Sequence, residues 1–297
     1  MAGRRQPVVL MVAEKPAVAK GLAQLLSGHA APASRQGQSP YNRIFELAGV
    51  EVGALGACAL RITSVAGHLR ELEFAAPFDK WSACAPDALF GCAVESRTPP
   101  DKLALERQLQ VEARGADALM IWTDCDREGE AIGFEVIDVC VAARPLLAQP
   151  GRVRRARFSA LIEAQVRDAL RNPVPPDRRQ AEAVRARSEI DLRLGAAFTR
   201  LQTTALQRRF DELATRVVSY GPCQMPTLGF VVDRYRLIEG FQAEHFWSIA
   251  LALAVPLGAD EAAAAAAAEA EAQAAAADGR GADEDAQHAD EEGEDED

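Results

Sequence analysis

The sequence predicts an α/β fold: a parallel sheet flanked by helices, then a helix-rich region, then a disordered acidic tail. Three observations predict it. Two apolar runs, Val8 to Ala13 and Ala118 to Thr123, are each followed by a helix pattern. Near residue 159 the chain changes to long stretches rich in arginine and poor in Gly and Pro. Beyond Pro256 no apolar face remains to offset ordering entropy.

The elements follow in order. Val8 to Ala13 reads as a buried strand, closed by Glu14-Lys15-Pro16. Pro16 suits a first helical position, and Ala17 to Leu26 reads as a helix stopped near Gly28. Residues 29–42, rich in Pro, Ser and Gly, read as a loop, and Phe45 to Gly67 holds short strands, notably Leu60 to Val65. Asp101 to Arg114 is a helix and Ala118 to Thr123 the second strong strand. Gly129 to Cys140 is a helix with Ile132, Val136 and Ile137 on one face, and Val153 to Phe158 a further strand. Ser159 caps a helix whose stripe is Ile162, Val166, Ala169 and Leu170, and Pro173, Pro175 and Pro176 break it. Asp177 to Phe210 forms one long helix or two abutting ones, and Gln224 to Ile238 another. The expected division is 6–158 for the α/β domain, 159–255 for a partial helical domain and 256–297 for the low-complexity tail.

The net charge of −11 over 297 residues is unevenly placed. Asp260 to Asp297 holds 15 acidic residues against one basic, a charge of −14, and the remainder stands at +3. Arg152 to Phe210 alone carries 14 Arg, no Lys and 6 acids. An acidic isoelectric point therefore does not argue against a nucleic-acid partner. No C-x-x-C pair occurs among Cys58, Cys84, Cys92, Cys125, Cys140 and Cys223, which argues against a zinc cluster or redox dithiol and fits reduced intracellular thiols. No 18-residue uncharged apolar run is present, so no membrane association is expected.

The chemistry lies in Trp122-Thr123-Asp124-Cys125-Asp126-Arg127-Glu128-Gly129-Glu130. Asp124, Asp126 and Glu128 stand at i, i+2, i+4 after a strand, and extended geometry points all three the same way. Close carboxylates repel unless a cation lies among them, and hard oxygen ligands suit Mg²⁺. If the two strong strands are neighbours, Glu14 joins the triad and Lys15 supplies a charge beside a phosphate. Solvated turn residues or helix N-caps also fit an isolated D-x-D-x-E; two strand-end clusters with opposite-sign partners weigh toward the metal. Glu130 reads as an ordinary first-turn acid favoured by the helix dipole.

These residues carry a resemblance. Glu14-Lys15-Pro16 after a strand, with the D-x-D-x-E run, resembles the Toprim domain of topoisomerases and primases. Four segments narrow it: Ile62 to Leu69, Trp122 to Ile132, Glu189 to Arg193 with Gly195 to Arg200, and Ser219 to Leu228. From about Val8 to Trp247 the chain is similar, in consistent order, to the type IA DNA topoisomerases, in their eukaryotic topoisomerase III alpha-like branch. The resemblance implies a Toprim-type sheet. It also implies Mg²⁺-dependent, ATP-independent passage of one strand through a transient 5′-phosphotyrosine break, relaxing negatively supercoiled DNA. It implies Glu14 as acid/base and metal ligand, Lys15 as phosphate contact, and Asp124, Asp126 and Glu128 as metal ligands. It implies single-stranded or negatively supercoiled DNA as substrate, a nuclear address, and a RecQ-type helicase and an OB-fold protein as partners.

In that family the nucleophile lies downstream in a Tyr-Pro-Arg-Thr context. The three tyrosines here, Tyr41, Tyr220 and Tyr235, precede no Pro-Arg, and Tyr220 matches a separate segment that approaches DNA. The expectation is that these residues hold the Toprim domain and adjoining helices but no nucleophile, and do not cleave DNA. The alternatives are a catalytically silent fragment binding single-stranded DNA or a partner, and another Toprim enzyme, a primase or nuclease. Arg185, Arg187, Arg193, Arg200, Arg208 and Arg209 either line a groove for single-stranded DNA or form a solvated face; the resemblance favours DNA contact for Arg187 and Arg193. Gln224 would hydrogen-bond DNA phosphate or order the site. His68 is expected to be structural, and Trp81, Trp122 and Trp247 to pack in the core.

Overall fold

The computed structural model of the protein describes residues 5–28, 31–81 and 83–252. The expected acidic tail, 256–297, lies outside the described residues, as do His29 and His288. Two units divide the chain, Met1–Leu237 and Ile238–Asp297; the sheet and the candidate site belong to the first. Among the described residues no helix is long and apolar enough to cross a membrane.

The strands are β1 (Val8–Ala13), β2 (Ala33–Arg35), β3 (Ile44–Val52), β4 (Gly56–Ser64), β5 (Glu71–Phe74), β6 (Val94–Arg97), β7 (Ala118–Trp122) and β8 (Val153–Arg155). The helices are α1 (Pro16–Leu26), α2 (Ala76–Asp79), α3 (Leu103–Arg114), α4 (Arg127–Ala143), α5 (Glu163–Arg171), α6 (Arg178–Gln207) and α7 (Gln224–Glu239). Six strands form one sheet in the order β2-β3-β4-β1-β7-β8, and β5 and β6 pair separately. β4, β1, β7 and β8 run parallel; β3 and β2 add an antiparallel edge.

Every residue of β1 and β7 is buried, as expected for central parallel strands covered on both faces. The pleat divides them. Val9, Met11, Ala13, Met120 and Trp122 pack under α1 and α5 with Leu22 and Leu170. Leu10, Val12, Leu119 and Ile121 pack under α3 and α4 with Leu109, Ile132 and Val136. Each Leu, Ile or Val so buried stabilises by about 1.5–3 kcal/mol. The chain leaves β1 for β4 on one side and later reaches β7 on the other. β1 is therefore a topological switch point, where open α/β sheets place their ligands.

Several expectations are corrected. The 29–42 loop contains the short edge strand β2, and the region 45–67 is a nine-by-nine-residue hairpin of β3 and β4 with a bulge between Leu47 and Val50. α4 starts at Arg127, two residues before the expected Gly129. Ser159 does not cap α5. Ile162 precedes that helix, and the Gln165 side chain instead accepts from the Ser159 and Ala160 N–H groups. Asp177 to Phe210 resolves as one 30-residue helix, α6, whose N-cap Asp177 accepts from the Arg179 N–H. Trp122 is fully buried, but Trp81 and Trp247 are exposed, not in the core.

α6 organises what surrounds it. Arg193 donates to the carbonyls of Leu89, Phe90 and Cys92, and Arg200 to that of Phe78. Thr199 exchanges two hydrogen bonds with the Tyr220 backbone and Thr203 two with that of Val218. The Ser219-Tyr220-Gly221 segment is thus laid along the helix, with the Tyr220 ring 5.0 Å from that of Phe198.

Candidate functional site

Glu14 leaves the tip of β1 and Asp124 the tip of β7, which are paired neighbours, Ala13 beside Trp122. The backbone N–H of Asp124 donates to Glu14 Oε2 at 3.0 Å. Lys15 Nζ lies 2.9 Å from Asp124 Oδ2 and 3.5 Å from Glu14 Oε1. One ammonium therefore lies between two carboxylates, and the Asp124 hydrogen bond raises its pKa. Glu14, 12% exposed, is the more enclosed of the two acids, against 42% for Asp124.

Asp126 and Glu128 do not continue the strand direction, because β7 ends at Trp122 and the chain turns at once into α4. Asp126 is the N-cap: its Oδ1 accepts the Gly129 N–H at 2.7 Å. Glu128 lies in the first turn of α4. Its Oε1 accepts from Arg187 Nη2 at 2.5 Å, and its Oε2 lies 3.2 Å from His68 Nε2. The extended-geometry argument for three parallel carboxylates is thus replaced by a strand-tip pair, Glu14 and Asp124, and a helix-start pair, Asp126 and Glu128. Among the described residues no group of three or more His, Cys, Asp or Glu is placed to hold a metal ion.

Sequence reasoning missed two supports. Arg155, 1% exposed, donates Nε to Glu130 Oε1 at 3.0 Å, Nη1 to the Thr123 carbonyl at 2.7 Å and Nη2 to the Asp124 carbonyl at 2.5 Å. It clamps the loop that carries Asp124. Glu130 is accordingly its buried partner, also accepting from the Asp177 N–H, and not an ordinary first-turn acid. The second support is Glu135, one turn beyond Ala131 on α4. Its Oε1 lies 2.8 Å from His68 Nδ1, and its Oε2 accepts from the Leu69 and Arg70 N–H groups. The Glu135 hydrogen bond, aided by Glu128 and opposed by partial burial, raises the His68 pKa. His68 is therefore part of the site. The Glu-x-x-x-x-Glu spacing of 130 and 135 on a helix next to the acidic run was the available signal; nothing marked Arg155 among fourteen similar arginines.

Of the other expected residues, Arg187 reaches the site and is 60% exposed. Arg193 is turned toward the 89–92 carbonyls and Glu189, with a side chain 19% exposed. Gln224 opens α7 and is exposed.

A mostly parallel sheet with acids at two adjoining strand tips, a helix starting from the second and a cation between them defines a Toprim-type α/β domain. Comparison with known proteins agrees. A model described as Toprim domain matches residues 9–161, more than half of the chain, and one described as DNA topoisomerase matches 175–290. The chain belongs to the Toprim-containing type IA DNA topoisomerases, in the topoisomerase III alpha-like branch. It is 49% identical over 246 residues to DNA topoisomerase 3-alpha of Arabidopsis thaliana, covering 81% of this chain and 26% of that protein. The Homo sapiens protein of the same name is 47% identical over 254 residues, covering 84% and 24%. The Drosophila melanogaster one is 47% identical over 242 residues, covering 81% and 19%. The chain thus spans about a quarter or less of the length of these relatives. Among solved structures, full-length topoisomerase I from Thermotoga maritima aligns at 23% identity and a TM-score of 0.47, over 78% of this chain and 31% of that one.

Proposed function

We propose that these residues form the metal-and-phosphate half of a type IA topoisomerase cleavage site, acting on single-stranded segments of negatively supercoiled DNA. The observation that carries it is Lys15 between Glu14 and Asp124: two carboxylates already converge on one cation-sized position at a topological switch point. The donor set fits Mg²⁺, which takes one or two carboxylates and fills the rest with waters and phosphate oxygens. Glu14 and Asp124 would hold it, with Asp126 and Glu128 at the rim. When bound, such an ion supplies charge neutralisation for a transferring phosphoryl group.

The chain's own residues do the remainder. Glu14 is held by the Asp124 N–H with its other oxygen toward Lys15, which suits it to take or return a proton at a 3′-hydroxyl. Lys15 offers its ammonium to the scissile phosphate, and Arg187 and Gln224 contact the strand backbone. Arg193 serves the strand indirectly, by holding the 89–92 segment against α6. No tyrosine hydroxyl among the described residues hydrogen-bonds to the carboxylates, and none of Tyr41, Tyr220 and Tyr235 has the nucleophile's context. By themselves these 297 residues therefore bind DNA without cutting it. The same reading puts the protein at nuclear DNA with a RecQ-type helicase and an OB-fold protein as partners, as the family resemblance implies.

The test is direct. With Mg²⁺ the purified chain should bind a short single strand with an affinity that falls at least about tenfold between about 50 and 200 mM salt. It should leave supercoiled plasmid unrelaxed and yield no covalent protein–DNA adduct. Absence of binding defeats the DNA reading; relaxation or an adduct defeats the claim that these residues lack the nucleophile; nicking without an adduct indicates a Toprim nuclease.

A further inference from the structure

Glu128 has two nitrogen partners, one anchored and one not. His68 is fixed from behind: Glu135 holds its Nδ1 and the two following backbone N–H groups, and Lys102 Nζ donates to its carbonyl. Among the described residues Arg187 is held by Glu128 alone in hydrogen bonds to its guanidinium, and it projects from α6 with most of its side chain in solvent. The pair joins α4 to α6 across 59 residues of sequence and occupies one Glu128 oxygen. A guanidinium that binds a carboxylate in this way binds a phosphate equally well.

We propose that Arg187 exchanges between Glu128 and the phosphate backbone of single-stranded DNA, so that strand binding and divalent-cation binding at this site reinforce each other. The inference rests on the function proposed above. With no strand bound, Glu128 and Arg187 neutralise each other. A strand draws Arg187 onto a phosphate and leaves an uncompensated oxygen on Glu128, whose other oxygen lies 3.2 Å from His68 on the segment leaving β4, the strand paired with β1 just before Glu14. That raises the affinity for a cation there. By linkage, a cation that engages Glu128 releases Arg187 and raises the affinity for the strand by the same factor. His68, pinned by Glu135, does not follow Arg187 and keeps Glu128 directed into the site.

Fluorescence anisotropy of the 297-residue chain with a labelled oligothymidylate of about 12 nucleotides tests this, at matched ionic strength with EDTA or Mg²⁺. In EDTA, Glu128→Gln should bind about fivefold tighter than wild type, the scale of losing an exposed competing ion pair. Asp138→Asn removes an exposed carboxylate from the same helix without freeing Arg187, and should change affinity less than about twofold. In an Arg187→Gln background the Glu128→Gln gain should vanish. Mg²⁺ should tighten wild type and leave Glu128→Gln unaffected. A Glu128→Gln gain no larger than that of Asp138→Asn, one that persists without Arg187, or Mg²⁺ failing to tighten wild type overturns the exchange alone. Absence of binding by wild type and Glu128→Gln alike overturns the single-strand reading, and the exchange with it.

Discussion

Gly129→Ala is expected to dismantle the acidic loop. A Cβ on Gly129 would lie 1.9 Å from the Asp124 carbonyl oxygen and 2.9 Å from its carbonyl carbon. Both are backbone atoms, so no side chain can swing away to relieve the contact. Helix propensity acts in the other direction, favouring Ala over Gly by about 1 kcal/mol. The steric term wins, because overpacking against an immovable neighbour costs about 1–3 kcal/mol or more. Here the neighbour is also held by Arg155 through the same carbonyl. The helix start must retreat, which breaks the Asp126 cap and the Thr123 hydroxyl bond to the Gly129 carbonyl. Urea unfolding should register a loss of about 2 kcal/mol, and strand binding should weaken with it. A variant as stable as wild type, with unchanged binding, would show that the loop can shift and that its geometry is not fixed by this contact.

Arg155→Met should have the larger effect on stability. It removes the partner of a carboxylate that is itself 3% exposed, and orphans the carbonyls of Thr123 and Asp124. Breaking a buried ion pair from one side costs about 3–5 kcal/mol, because the remaining charge has no water to turn to. The diagnostic is the double variant. Adding Glu130→Gln removes the stranded charge while keeping an oxygen to accept from the Asp177 N–H, so it should recover part of the loss. A strictly additive or worse double variant, measured by the same urea titration, would contradict the assignment of Arg155 and Glu130 as a pair.

What the sequence made legible follows from where the signal was local. β1 and β7 are uninterrupted apolar runs because both of their faces are covered, and a strand of that kind announces itself. β3 is buried only at its ends, Ile44 and Val52, is half-buried or exposed between them, and contains Glu46, Gly49 and Glu51, so its full length was not seen. β2, three exposed residues, had no apolar signal at all. Glu14 and Asp124 were legible as strand-tip acids, and the pairing of β1 with β7 brings them together. The directions of Asp126 and Glu128 depended on where α4 begins, and a two-residue error at a helix start turns both side chains. Arg155 with Glu130 and His68 with Glu135 are joined across 25 and 67 residues, respectively. No spacing rule links such pairs; only the folded sheet does.

The most direct measurement concerns the strand-tip acids themselves. Mn²⁺, a spectroscopic stand-in for Mg²⁺, can be titrated into the chain and followed by electron paramagnetic resonance. One ion per chain should bind, be displaced by Mg²⁺, and lose at least about tenfold in affinity in either Glu14→Gln or Asp124→Asn. If no ion binds, or if both substitutions leave the affinity unchanged, the two tips do not hold a shared cation and the proposed site is wrong.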